Sequence, residues 1–78
     1  MPRLPVITGK KLADFLEKEG FVFFRQNGSH LRYKHPDGRV TTVPIHGNND
    51  LPIGLLRKII RNDLKLNLDE FLRKWENY

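Results

Sequence analysis

The chain has 78 residues, and its 14 Lys and Arg outnumber its 9 Asp and Glu, which gives a formal net charge of +5 at pH 7. This length fits one domain, residues 1–78, with a small core, and the absence of Cys excludes disulfides and thiolate metal sites. No apolar run approaches the ~20 residues of a membrane span, and the opening segment MPRLPVITGK lacks the apolar stretch of a secretory signal. We therefore expect a cytoplasmic domain without membrane contact, whose charge suits a polyanion, chiefly nucleic acid, or an acidic protein.

The first predicted element is a helix within the segment TGKKLADFLEKEG. Thr8 can cap its N-terminus and Gly20 can end it, and the apolar residues between them recur at helical spacing. Ile7 before the cap and Leu12 inside the helix have the spacing of a hydrophobic staple. The pattern predicts a short amphipathic helix that packs its apolar side on the rest of the domain.

Three short strands follow, separated by turn signals. FVFFRQN is rich in aromatic residues, HLRYKH alternates apolar and basic residues, and RVTTVPI is rich in β-branched residues. Asn27–Gly28 supplies a tight turn between the first two strands, and HPDGR supplies a three-residue loop between the last two, with Gly38 in the left-handed conformation. Pro44 must lie near a strand end or on a sheet edge because it has no N–H to donate. Two hairpins predict an antiparallel meander.

Two helices complete the predicted chain. LPIGLLRKIIRND reads as a helix with Asp50 near its cap and Pro52 in its first turn. LDEFLRKWENY reads as a short helix in which Asn67 and Glu70 form a capping box and Trp75 lies on the buried side. The element order predicts an α+β fold of the type α-β-β-β-α plus a short C-terminal helix, with the helices on one face of the sheet and the other face open to water.

The second hairpin predicts which side chains share the open face. The loop in HPDGR pairs His35 with Arg39, and counting back along the strands pairs Leu31 with Val43. Tyr33 then faces the core together with Leu31. The opposite, open face carries His30, Arg32, Lys34, Thr42 and, just past the third strand, His46.

The first hairpin predicts the faces of the aromatic strand. A tight turn at Asn27–Gly28 pairs Arg25 with His30. On this register the open face gains Phe21, Phe23 and Arg25. The core face gains Val22 and Phe24. Outward phenylalanines can lie under the C-terminal helix, stack on bases or bind a protein, and all three explanations stay open.

The open face suits RNA chemistry around one imidazole. Arg25, Arg32 and Lys34 can hold phosphates, the guanidinium groups with two parallel hydrogen bonds. His30 can move a proton to or from the RNA's own 2′-hydroxyl or the leaving 5′ oxygen, and His46 can serve the other role. A cation then steadies the developing charge, so this mechanism needs neither metal nor cofactor. A surface histidine without catalytic work fits the same pattern.

The stretch GFVFFRQNGSHLRYKHPDGRVTTVPIH closely resembles the HicA toxin family, YcfA-like mRNA interferases of bacterial and archaeal toxin–antitoxin pairs. The segment Gly28–His30, the HPDGR turn, the VPIH segment ending at His46 and the G-x-L-R-x-I pattern from Gly54 to Ile59 stand in the family's order, and the resemblance covers residues 7–71. It implies a fold like that of double-stranded-RNA-binding domains, endoribonuclease cleavage of translated mRNA, and a catalytic role for His30.

The resemblance also implies partners. A HicB-type antitoxin would bind the toxin and block its active face with an acidic surface, and DNA would be contacted only indirectly, through the antitoxin. True double-stranded-RNA-binding domains hold phosphates with lysines at the start of the last helix, and this helix opens without any. The expected RNA-binding residues are therefore on the strands and adjoining loops: Arg25, Ser29, Arg32, Lys34 and His46.

Three functions fit the sequence at this point. The first is a metal-independent endoribonuclease that uses His30. The second is a non-catalytic RNA-binding module of the same fold. The third is an interaction protein whose basic face serves an acidic partner, which is compatible with the first.

Overall fold

A three-stranded antiparallel sheet in the order β1–β2–β3 is the centre of the computed structural model, which describes residues 3–78. The strands are β1 (Val22–Asn27), β2 (His30–Lys34) and β3 (Val40–Pro44). The helices are α1 (Gly9–Lys18), α2 (Ile53–Lys58) with a π-helical continuation (Ile59–Asp63), and α3 (Leu68–Glu76). This order confirms the predicted α-β-β-β-α fold with a short C-terminal helix. Within residues 3–78, no helix has both the length and the apolar character needed to cross a membrane.

The core lies between the sheet and the helices. On β2 and β3, Tyr33, Thr41 and Val43 face the helices and are buried, and Leu31 on the same side is half-buried against the core. Their neighbours along the strands, which face the other way, are exposed or half-buried. The helices contribute fully buried side chains: Leu12, Phe15, Leu16, Leu56, Ile60 and Phe71. One face of the sheet is therefore covered and the other is open, as predicted.

Helix α1 begins and ends where the sequence predicts. The Thr8 hydroxyl accepts a hydrogen bond of 3.2 Å from a backbone N–H of the first turn. At the other end Gly20 takes a φ of +95°, and its N–H donates to Glu17 while the N–H of Phe21 donates to Leu16. These two bonds form a Schellman motif, which reverses the chain and turns Phe21 into the core, where it is 3% exposed.

The first hairpin differs from the prediction. Asn27 pairs with His30, and Arg25 pairs with Arg32, so the turn residues are Gly28–Ser29 and the predicted turn one residue earlier is wrong. Gly28 has a φ of +62°, which suits the first central position of a type II′ turn, where a side chain would be strained. Moving the turn by one residue places each β1 residue opposite a β2 residue two positions further along, as for Arg25, which pairs with Arg32 and not with His30. Residues two positions apart in a strand point to the same face. The faces are therefore unchanged near the turn, and Arg25 keeps its predicted place on the open face.

A β-bulge between Phe23 and Arg25 reverses the faces predicted for the rest of β1. Phe23 pairs with Tyr33 on the helix side, where the two rings lie 5.8 Å apart. Phe24 is the extra residue, and its ring lies on the open face beneath Arg32. The predicted faces are thus wrong for four residues, because the bulge adds one residue to one strand only. These residues are Phe21 and Phe23, which are not on the open face, and Val22 and Phe24, which are.

The second hairpin has the predicted register. The N–H of His35 donates to the carbonyl of Arg39 over 2.8 Å, and Gly38 takes a φ of +99°. Leu31 pairs with Val43, as the count from the HPDGR loop required. The open-face positions of His30, Arg32 and Lys34 on β2 are therefore confirmed.

Helix α2 departs from the prediction at both ends. Pro52 occupies the N-cap position itself, without a side-chain capping bond, and Asp50 forms an isolated bridge with Thr8 instead of capping the helix. The last turn widens into a π-helix, in which the N–H of Leu64 donates to the carbonyl of Ile59. This wider turn keeps two successive isoleucines buried.

Helix α3 follows the prediction closely. The Asn67 side chain accepts from the N–H of Glu70 over 2.8 Å, and the Glu70 carboxylate accepts from the N–H of Asn67 over 3.0 Å, which confirms the capping box. Trp75 packs against Phe15 and Phe71, with ring centroids 5.4 and 5.8 Å away. This C-terminal segment therefore adds an aromatic layer to the core.

Candidate functional site

The open face consists of three rows of side chains that cross the sheet. The row nearest the Gly28–Ser29 turn contains Asn27, His30 and Pro44. The middle row contains Arg25, Arg32 and Thr42, and the far row contains Val22, Lys34 and Val40. No strand residue is acidic. We call Arg25, His30, Arg32 and Lys34 the basic face.

Two guanidinium-bearing residues lie directly opposite each other in the middle row. Arg25 is the cross-strand partner of Arg32, an arrangement that is destabilising when nothing neutralises it. Among residues 3–78, no carboxylate forms an ion pair with either arginine or with Lys34. The basic face therefore presents uncompensated positive charge to water.

Two imidazole rings lie close together at the end of this face. The ring centroids of His30 and His46 lie 6.5 Å apart, with the ring planes at 81°, and both residues are exposed. The loop that carries His46 is fixed by Ile45, whose N–H donates to the carbonyl of Ser29 over 2.6 Å. Ser29 thus contributes through its backbone, which ties the chain before β2 to the chain after β3.

A groove extends from the basic face over the edge of β3 to helix α2. It has a volume of about 360 Å³ and is lined by His30, Arg32 and Thr42 on the sheet and by Lys58 on α2. Lys58 was not among the residues predicted from the sequence. The helical pattern shows only that Lys58 lies outside the apolar stripe, and does not show what it faces. Its neighbour in the groove, Leu55, stands three residues earlier on the same side of that helix.

One carboxylate lines the groove within the part of the chain that the structure describes, and it belongs to Asp63. It accepts a hydrogen bond of 2.8 Å from the hydroxyl of Thr41, which is 4% exposed. This bond joins the π-helical turn to β3. The carboxylate therefore has a structural partner at the base of the groove.

The third histidine lies apart from the basic face. His35 is half-buried, its Nε2–H donates to the carbonyl of Glu19 over 3.1 Å, and its Nδ1 accepts from the N–H of Asp37. Its ring also packs edge-on against Phe21 at 5.0 Å. Both ring nitrogens are used within the fold, so His35 is a structural residue. Across residues 3–78 no cluster of three His, Asp or Glu could hold a metal ion.

Two side chains with shifted pKa values lie next to the open face, one on β2 and one in the turn after it. Burial, and secondarily the negative charge of Glu17, raises the pKa of Tyr33, whose hydroxyl donates to that carboxylate over 3.3 Å. The backbone N–H of Arg39, and after it the Arg39 guanidinium, lowers the pKa of Asp37 in the turn between β2 and β3. The Tyr33–Glu17 hydrogen bond ties β2 to α1 on the side opposite the basic face. The Asp37–Arg39 contacts stabilise the turn at the end of β2.

The predicted site residues thus come together on the open face and at its end. Arg25, His30, Arg32 and Lys34 share the open face, and His46 stands beside His30. Ser29 is adjacent, and the contact seen for it is made by its backbone carbonyl. The sequence reasoning missed Lys58 and Phe24, which join the same surface.

Comparison with known proteins connects this surface to a family. The family model described as the HicA toxin of bacterial toxin–antitoxin matches residues 9–64, more than half of the chain. The matched range contains helix α1, the whole sheet with its basic face, and helix α2 with its π-helical turn, and it leaves α3 outside. Among curated proteins, none matches this chain.

Proposed function

The chain belongs to the HicA toxin family of toxin–antitoxin systems, and on that premise we propose that it is a metal-independent endoribonuclease that cleaves mRNA on its basic face. Residues 1–78 would act as one HicA-like domain, with His30 as the catalytic residue. The observation that carries this proposal is the pair of imidazoles of His30 and His46, 6.5 Å apart, beside cations that have no carboxylate partner among residues 3–78.

The uncompensated charge supports a polyanionic substrate. Arg25 opposite Arg32 costs stability in the free protein, since like charges directly across a pair of strands repel. A phosphodiester between them would convert repulsion into two charge-assisted hydrogen-bond pairs, because guanidinium binds phosphate oxygens in parallel. Such a surface is expected to gain affinity for RNA at the expense of its own stability.

The proposed reaction uses the RNA's own 2′-hydroxyl as nucleophile. One imidazole removes the 2′ proton, the 2′ oxygen bonds to phosphorus, and the bond from phosphorus to the 5′ oxygen breaks. The other imidazole donates a proton to that leaving oxygen. The products are a 2′,3′-cyclic phosphate and a 5′-hydroxyl, and Arg32 beside the rings stabilises the charge that develops on the phosphate. In this reaction no metal is required.

The experiment is cleavage of single-stranded RNA in excess EDTA. The 78-residue protein should cut the RNA and leave untouched a strand of the same sequence with 2′-deoxy sugars. His30→Ala should lose cleavage by roughly 10²–10⁴-fold while its circular dichroism spectrum and unfolding midpoint stay those of the parent. Lys10→Ala, an exposed cation on α1, is the matched surface control and should cut normally.

Two outcomes would change this assignment. Cleavage of the deoxy strand at the same rate would exclude attack by the 2′-hydroxyl. Tight binding of RNA with no product at any protein concentration would favour the non-catalytic RNA-binding module instead.

Membership of a toxin–antitoxin family implies an antitoxin partner. We infer that it is of the HicB type, with an acidic surface that covers the basic face, and that any DNA contact of the complex is made by the antitoxin. Adding such an antitoxin in equimolar amount should stop RNA cleavage. It should also slow hydrogen exchange of the backbone amides in the Gly28–Ser29 turn and in the loop that carries His46, whereas those of α3 should be unaffected.

A further inference from the structure

The β-bulge in β1 puts an aromatic ring among the cations of the basic face. Phe24 is the residue that the bulge adds between Phe23 and Arg25, and it is 40% exposed. The guanidinium carbon of Arg32 lies 5.5 Å from the centre of its ring, and the Lys34 ammonium lies 5.1 Å away. The ring is therefore partly accessible, and two positive groups of the neighbouring strand β2 lie over it.

The bulge alone decides which phenylalanine occupies this position. Without it, alternation along β1 would place Phe24 on the helix side and Phe23 outside. Bulges commonly redirect a side chain next to a functional site. Phe23 instead packs against Tyr33 on the covered side, although 45% of its surface remains exposed. The chain thus offers two adjacent, similarly exposed phenylalanines on opposite faces.

The surroundings of Phe24 identify what would cover it. An aromatic ring flanked by Arg and Lys, on strands without acidic residues, is the combination that binds single-stranded nucleic acid, with a base on the ring and phosphates on the cations. An acidic protein would use the cations but would leave a flat ring without a flat partner.

We propose that Phe24 is a base-stacking platform for one nucleotide of single-stranded RNA, with Arg32 and Lys34 holding the phosphates beside that base. The placement of this nucleotide next to the cleaved bond rests on the proposed ribonuclease function. Phe24 lies one strand across and two residues along from His30, a separation of about 8 Å from the strand spacing and rise. The neighbouring nucleotide can span that distance.

The experiment measures binding without cleavage, in a His30→Ala background. A short single-stranded RNA carries 2-aminopurine at one position, which is moved along the strand in a series, and stacking is detected as fluorescence quenching. One position should be quenched strongly by the parent and by Phe24→Trp, and weakly by Phe24→Leu and Phe24→Ala. Loss of the stack should weaken binding about 5- to 150-fold, the range for one aromatic–base contact. Phe23→Ala should stay within twofold of the parent.

An abasic nucleotide separates stacking from the loss of the cation contacts. At the quenched position it should weaken binding to the parent and leave binding to Phe24→Leu unchanged, because that variant has no stack to lose. Equal weakening of both proteins would overturn the proposal, as would Phe24 variants that bind RNA normally but fail to bind the antitoxin. If quenching depends on Phe24 but the protein with His30 intact never cleaves RNA, the ribonuclease proposal is contradicted and the stacking platform is still supported.

Discussion

His46 places its ring 6.5 Å from that of His30 and nearly perpendicular to it, although 16 positions separate them in the chain. The hydrogen bond from the N–H of Ile45 to the carbonyl of Ser29 brings them together. We predict that His46→Ala lowers the cleavage rate by roughly 10²–10⁴-fold, because one of two proton transfers is lost, and that RNA affinity falls by a much smaller factor. Single-turnover kinetics at saturating protein measure the rate, and the His30→Ala, His46→Ala double variant tests whether the rings act together. Additive losses would show that they do not.

Arg25 should affect stability and RNA binding in opposite directions. Arg25→Gln removes one member of the like-charge pair with Arg32, so the free energy of unfolding should stay equal or rise by up to about 1 kcal/mol. RNA affinity should fall, and the slope of log affinity against log salt should decrease by about 0.7 for one phosphate contact on a single strand. Urea unfolding and binding at several salt concentrations measure the two effects. A loss of stability would mean that Arg25 has a folding role that its contacts do not indicate.

Lys58 extends the RNA site beyond the sheet if the groove carries substrate. Lys58→Ala should lower kcat/KM about tenfold, the effect of losing roughly 1.4 kcal/mol of phosphate binding. Arg57→Ala is the matched control, since Arg57 is also an exposed cation on α2 and does not line the groove. Equal effects of the two substitutions would indicate long-range attraction of the RNA, with no contact in the groove.

The two hairpins show what could be predicted from the sequence. In the second hairpin, the HPDGR loop and the alternation of Leu31 and Tyr33 with basic residues require the same register. A shift of one residue would expose these apolar side chains to water. The faces of this hairpin were therefore predicted correctly. In the first, Phe23 and Phe24 are equivalent in hydrophobicity, so no alternation penalises an extra residue. The bulge was therefore invisible, and with it the aromatic ring on the basic face.

Tertiary packing explains the rest of what the sequence could not provide. Which edge of the sheet helix α2 lies against depends on long-range contacts, so the groove and its Lys58 could not be predicted from helical spacing. The proximity of His46 to His30 was expected only as a shared side of the sheet, since a loop's path is not set by periodicity. Motifs with local geometry, such as the Asn67–Glu70 capping box, were predicted to the residue.

Acid should destabilise the second hairpin through Asp37. Its carboxylate accepts from the backbone N–H of Arg39 over 3.0 Å and from its Nε–H over 2.8 Å, and its folded-state pKa is lowered, chiefly by that backbone hydrogen bond. A lowered pKa means that the folded chain binds the proton less readily than the unfolded one. The contribution to stability is therefore complete above the ordinary value of 3.8 and is lost as the pH falls below it.

The measurement for Asp37 is the free energy of unfolding between pH 6 and pH 2. The parent should lose stability more steeply below pH 4 than Asp37→Asn, which has no proton to bind. Asp69→Asn is the control, because Asp69 is exposed at the start of α3 and away from the hairpin. Parallel pH profiles for the parent and Asp37→Asn would contradict the prediction.

Two helical glycines should respond oppositely to the same substitution. A Cβ on Gly9 would collide with the backbone carbonyl of Pro44, and one on Gly54 would meet nothing within 4 Å. Gly9→Ala must therefore push α1 away from the end of β3 and should cost about 1–3 kcal/mol of unfolding free energy. Gly54→Ala should stabilise the protein by up to about 1 kcal/mol, since Ala has a higher helix propensity than Gly.

Chemical denaturation of both variants measures these energies, and RNA cleavage well below the unfolding midpoint reports on the site. Pro44 pairs with His30 and precedes the loop of His46, so displacement of its carbonyl should also slow cleavage by Gly9→Ala. Cleavage by Gly54→Ala should match the parent, because α2 keeps its position. If both substitutions changed stability by the same amount and sign, the close approach of α1 to β3 at Gly9 would be ruled out.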